Sequence, residues 1–154
     1  MIFGTVYAAV GGGMESFMLM FLILLIIPLI MIVFGSLLEK KPPKRINYFI
    51  GYRTTRSIKN MDTWKFANEH AGRTWRLAGW IALGVSIIAT IAVNVLSRID
   101  KLGMDFGFAL YFVAALLGAQ FITLIVTIFP TESALKKTFD KNGKRINSKK
   151  QRVK

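Results

Sequence analysis

The sequence contains no cysteine. That absence excludes disulfides, thiolate metal sites and thiol catalysis. Histidine is almost missing too: His70 is the only one. It lies near Glu69 and Arg73, and no metal-ligand pair stands at helical spacing around it. There is no phosphate-binding glycine loop and no nucleophile elbow. An enzyme is therefore the least supported class, and no cofactor or metal is expected. Acidic residues are scarce, with 8 Asp and Glu against 21 Lys and Arg, for a formal net charge of +13.

The most informative absence is local. Charge of either sign is missing from Ser16 to Leu38 (23 residues), from Leu77 to Ser97 (21 residues) and from Phe106 to Phe129 (24 residues). About 20 apolar residues in a helix cross a hydrocarbon core of roughly 30 Å. Strands are excluded as the spanning form, because three of them cannot close a barrel and open edges are not tolerated in lipid. The expected fold is an all-α membrane protein of three transmembrane helices. The first run is too long for the apolar part of a cleavable signal peptide and no cation precedes it. Intramembrane ionisable residues, which mark ion or proton paths, are also absent. That counts against ion-coupled transport by one copy of the chain.

What charge there is lies in two blocks. Residues 39–76 hold ten Lys or Arg against Glu39, Asp62 and Glu69, and residues 130–154 hold nine against Glu132 and Asp140. The loop 98–105 balances two cations with two acids, and the first 15 residues carry only Glu15. Cations favour the cytoplasmic side of short loops. The expected layout is an outer N-terminus over 1–15, a first span over 16–38 and a basic cytoplasmic segment over 39–76. A second span over 77–97, an outer loop over 98–105, a third span over 106–129 and a basic cytoplasmic tail over 130–154 follow. A start at Met14 is the alternative to a start at Met1, and N-terminal sequencing of the native protein decides between them. Topology and attraction to anionic lipid account for the basic runs, so direct nucleic-acid binding is not expected.

Pro42-Pro43 ends the first helix. Asn60 is a good helix N-cap, with Asp62 in the first turn. No breaker occurs between Asp62 and Leu96, so the second span is expected to continue a cytoplasmic helix. Spans two and three are rich in small residues, including Gly79, Ala82 and Gly84 in one and Ala114, Ala115 and Gly118 in the other. The expectation is that these two pack as a hairpin, while span one, with a kink at Pro28, largely faces lipid. Ser86, Thr90 and Asn94 in span two, with Gln120, Thr123 and Thr127 in span three, either hydrogen-bond between helices or line a small polar pocket. "TESALKKTF" is expected as a short amphipathic helix on the membrane surface, with Ala134, Leu135 and Phe139 turned down, and "DKNGKR" as a turn.

The segment "NYFIGYRTTRSIKN", residues 47–60, is richer than a linker needs to be. Gly51 suits a turn, Tyr52 suits the interface, and Arg53 and Arg56 suit phosphate or carboxylate. It is either a cap on the helix ends or a surface that binds a partner or a lipid headgroup. Together with the helix after it, this segment resembles the core motif of the SdpI family. The matching positions are Asn47, Gly51, Tyr52, Arg53, Thr54, Ser57, Asn60, Trp64, Ala67 and Asn68. The tail "PTESALKKTFDKNGKR" resembles the family's segment after the last span.

The resemblance implies a bacterial cell-membrane protein giving immunity to a secreted antimicrobial peptide or toxin. It also implies a second role, holding a transcriptional repressor at the membrane. The extra N-terminal spans of larger members are missing, which puts that signalling role in doubt. Expected partners are membrane lipids, the secreted toxin peptide, a cytoplasmic repressor and further copies of the chain. A regulator anchor and a small channel or transporter component are the other open classes.

Overall fold

A computed structural model describes residues 14–47, 49–97 and 106–146. The expectations for the N-terminal segment, the start at Met14, the outer loop and the last residues of the tail lie outside the described residues. Among the described residues four helices carry the fold: α1 (Met14–Lys40), α2 (Met61–Ser97), α3 (Phe106–Val126) and α4 (Ile128–Thr138). No β-strand occurs among the described residues; one isolated antiparallel bridge joins Phe139 and Arg145.

Among the described residues three helices are long and apolar enough to cross a membrane. Their outward faces are apolar, as on α1, where Leu22, Ile26, Leu29, Val33 and Leu37 are all exposed. Water would not tolerate such a surface, and lipid covers it. α2 has 37 residues and is unbroken. At 1.5 Å per residue it is about 55 Å long, well beyond a bilayer core. Its first half carries the charges, so that half extends past the apolar layer.

The tight pair is α1 with α2, antiparallel. On α1 the buried positions Leu24, Pro28, Met31, Gly35 and Leu38 recur at steps of four, three, four and three. On α2 Gly72, Gly79, Ser86 and Val93 recur every seven. These are the periods of a helix-pair seam. A Cβ on Gly35 would lie 2.5 Å from the Arg76 backbone nitrogen, and one on Gly72 would lie 2.4 Å from that of Glu39. The two backbones therefore touch where only glycine fits. Further along, Gly79 meets Ile32 and Met31.

This corrects the expected hairpin of spans two and three. The small residues of α2 admit α1, and α3 meets both helices along a thinner seam. Around Gly84 and Gly118 nothing lies within 4 Å of an added Cβ. Small residues permit close approach but do not specify which helix approaches. Span one accordingly buries one seam and does not face lipid all round.

The fourth helix also departs from expectation. Only Thr127 separates α3 from α4, and Pro130 lies in the first turn of α4, where a missing N–H costs nothing. Leu135 and Phe139 do not turn toward a membrane surface. They are buried with Ala67 against the polar half of α2, with Tyr52 and Phe66 packed alongside. The Phe66 and Phe139 rings meet edge to face at 5.4 Å.

Candidate functional site

The loop 41–60, the polar half of α2 and the stretch 127–146 meet at one end of the helix set. The local geometry starts at Asn47. Its side-chain oxygen accepts the Phe49 and Ile50 N–H groups at 3.0 and 2.8 Å, which turns the chain back toward α2. Gly51 then takes φ +116°, a region open to glycine. A Cβ there would also lie 2.5 Å from the Asn68 Oδ1 and 2.9 Å from the Trp64 ring. Both backbone conformation and space thus require this glycine.

Asn68 is fully buried and joins loop to helix. Its Oδ1 accepts the Tyr52 N–H at 2.6 Å, and its Nδ2 donates to the Trp64 carbonyl at 2.8 Å. Trp64 is also fully buried, and its indole N–H donates to the Pro43 carbonyl at 2.9 Å. Ser57 closes the turn: its Oγ accepts the Thr54 N–H at 2.8 Å and donates to the Tyr52 or Thr54 carbonyl. The Thr54 Oγ1 accepts the Ser57 N–H in return. Asn60 caps α2, accepting the Asp62 and Thr63 N–H groups at 3.0 and 2.9 Å.

The C-terminal stretch is tied to this cap. Asn60 Nδ2 donates to the Gly143 carbonyl at 2.8 Å, and the Lys59 ammonium donates to the Lys141 carbonyl. Arg145 forks onto both Asp62 oxygens at 2.7 Å and lies 5.3 Å from the Phe139 ring centre. The hydrogen bond to Asp62 raises the pKa of the Arg145 guanidinium further. The Tyr52 hydroxyl reaches the Ile128 carbonyl and Glu132, both at 3.2 Å. Burial, then the Glu132 charge, raises the phenol above its ordinary 10.0, so it is a neutral donor. On the far side Glu39 of α1 takes Arg76 at 2.7 Å and Arg73 at 3.3 Å, which clasps α1 to α2. His70 Nδ1 lies 3.2 Å from the Thr131 hydroxyl, in a packing position against α4.

Most motif side chains thus use their polar atoms inside the cap. Arg53 is exposed and forms part of the lining of a cleft of about 360 Å³. The intramembrane polar residues divide as well. Gln120 donates to Ser86 Oγ at 2.8 Å and to the Leu24 carbonyl at 3.0 Å. Thr90 and Asn94 bond back along α2 and line a groove with Phe21 and Ile91. Thr123 bonds back to Ala119, and Thr127 to Leu124. Of the five residues Ser86, Thr90, Asn94, Gln120 and Thr123, the structure joins Ser86 and Gln120 across helices and places Thr90 and Asn94 in one groove.

Sequence reasoning assigns no site role to Gly72, Glu39 or Glu132, and reads Pro43 only as part of a helix stop. Glu39 and Glu132 carry a signal, since each is one of the few acids in a basic block. The acceptor role of Pro43 uses a backbone carbonyl, which residue type does not reveal.

Three apolar spanning helices capped by one polar assembly define a small multi-pass membrane protein. The SdpI/YfhL protein family matches residues 44–131, more than half of the chain, and the chain belongs to that family. The match runs from the cap loop to the start of α4 and includes every motif position from Asn47 to Asn68. The chain is 36% identical over 59 residues to the uncharacterized protein YfhL of Bacillus subtilis (strain 168). The matched stretch is 38% of this chain and 54% of YfhL, so the chain spans about half the length of that curated relative. No solved structure matches.

Proposed function

We propose that the protein is an SdpI-like immunity protein of the bacterial cytoplasmic membrane, giving resistance to a secreted antimicrobial peptide. The single observation behind this reading is family membership across the cap and two of the spans. In the proposed topology the N-terminus is outside, and the cap and C-terminal tail are in the cytoplasm, an orientation that the two basic blocks favour. The peptide then meets the spans within the bilayer and not the cap. The cap holds the spacing of α1, α2 and α4. The exposed small residues Ala114, Ala115, Gly118 and Ala119 on α3 support self-association, which crosslinking in native membranes tests.

The cytoplasmic surface supports a second reading, a membrane anchor for a regulator. A broad groove lined by Lys40, Lys41, Lys44 and Lys65, with Asp62 and Glu69 in the same lining, has a cationic excess that suits an acidic partner. A survival assay separates the two. The wild type and Arg53→Ala are expressed at equal membrane levels in a toxin-sensitive bacterium and challenged with the sporulation-delaying class of toxin. Protection by the wild type supports immunity, and its loss in the variant makes the cap functional. Absence of protection at equal levels removes the immunity reading and favours the anchor.

A further inference from the structure

We propose that the cleft beneath the Gly51-Tyr52-Arg53 turn holds one anionic phospholipid, with part of an acyl chain inside and the phosphate at Arg53. The cleft has about 360 Å³, within the usual range of small-molecule sites. Its walls are Phe34 and Leu38 of α1, Ala71 and Trp75 of α2, and Ile128 of α4. Their depth is set by the charge-free runs. Leu38 ends the first, Trp75 lies two residues before the second, and Ile128 is next to the last residue of the third. The cleft therefore sits where hydrocarbon gives way to headgroups, and a lipid reaches it without leaving its leaflet.

Two further observations select the occupant. On the loop beside the cleft, Phe49 is 94% exposed and Ile50 59% exposed. Apolar side chains left uncovered at that depth are covered by acyl chains. Arg53 is the charged residue of an otherwise largely apolar lining, and its planar fork suits a phosphate oxygen pair. The surrounding block 39–76, with ten cations and three acids, adds the same preference. An apolar slot with a cation at its polar edge is complementary to an anionic amphiphile and not to a soluble anion.

The test uses the full chain carrying Trp80→Phe, because Trp80 is exposed on the spanning part of α2 while Trp75 lines the cleft. It is reconstituted in phosphatidylcholine vesicles, and brominated phosphatidylglycerol or brominated phosphatidylcholine is titrated in as a quencher. The expected result is quenching at about fivefold lower phosphatidylglycerol than phosphatidylcholine, the size of one juxtamembrane cation's effect. Arg53→Glu abolishes the difference, Arg53→Lys keeps most of it, and Lys44→Glu leaves it in place. Equal quenching by the two lipids overturns the proposal. So does an equal loss in Lys44→Glu, which would make the preference a property of diffuse charge. Displacement by soluble glycerol phosphate would also overturn it, because the ligand would then be a free phosphate. None of these outcomes depends on the toxin assay.

Discussion

Gln120 of α3 donates to the Leu24 carbonyl of α1 at 3.0 Å. That carbonyl stands four residues before Pro28, which has no N–H to give it. Gln120 thus supplies the bond that the proline removes, and its other bond to Ser86 ties in α2. One side chain joins all three spans at the point where the first helix lacks a bond. Gln120 Oε1 is buried without a partner, so the amide is held by its donor side alone.

Replacing Gln120 with leucine leaves the Leu24 carbonyl unpaired in an apolar setting, and a loss of about 1–2 kcal/mol is expected. Pro28→Ala returns the helical N–H. In that background the same substitution is expected to cost about 1 kcal/mol less. Reversible unfolding in mixed micelles, run as a double-mutant cycle, measures the difference. Additive losses would show that Gln120 does not serve the proline gap.

Gly72→Ala is expected to cost about 1–3 kcal/mol, because the added methyl meets backbone of α1 that cannot rotate away. Gly84→Ala and Gly118→Ala have open space and are expected to stay within about 0.5 kcal/mol of the parent. Melting temperatures in one detergent rank the three. A Gly72→Ala protein as stable as Gly118→Ala would contradict the close approach of α1 and α2.

Asn68→Ala removes the bond that holds the Tyr52 N–H and leaves that N–H without its partner. The expected loss is about 1–3 kcal/mol. The local effect is release of the loop, so trypsin should cut at Lys59 and Arg53 several times faster than in the parent. Unchanged cleavage would mean that the loop holds its shape without Asn68.

Tyr52 predicts an alkaline limit. Its folded pKa is raised above the ordinary 10.0 by burial and by Glu132. The neutral phenol is therefore the form the fold favours. Its contribution is complete below pH 10 and is lost as pH rises past that value. Tyr52→Phe is expected to be less stable at neutral pH by about 0.5–1.5 kcal/mol and to lose less between pH 9 and 11. Unfolding measured across that range checks both signs.

Arg145 and Asp62 form the best-aligned ion pair of the cap, yet both side chains are 51% exposed. Water screens such a pair, so Arg145→Gln is expected to cost under about 1 kcal/mol, and less in high salt. A larger loss would show that the Phe139 contact, and not the charge, carries the stabilisation.

The membrane class was legible because lipid imposes a one-dimensional rule. A span must be long and free of charge, and three runs satisfy that rule whatever their neighbours. Asn60 as a cap and the unbroken course of α2 were legible for a similar reason, since each depends on residues a few positions apart. The identity of contacting helices was not. Gly79 announces a close approach, but the same glycine fits α1 or α3, and Gly72 gives no such signal among charged neighbours. The heptad steps on α1 and α2 were present throughout, yet an all-apolar helix hides its seam, because lipid-facing and protein-facing positions have similar residues.

The amino-acid sequence by itself determined that this chain crosses a membrane as helices, that its charge collects in two blocks, and that residues 47–68 carry a dense motif. Those properties follow from composition and short-range spacing. Only the tertiary structure decided that α1 and α2 are the tight pair and that α4 docks on α2. It also decided that most of the motif is spent on internal hydrogen bonds and that Arg53 lines the cleft. Each of those outcomes depends on which surfaces meet across 30 to 100 residues of chain. In a bilayer, packing and single hydrogen bonds make that selection, because apolar burial is equally satisfied by lipid.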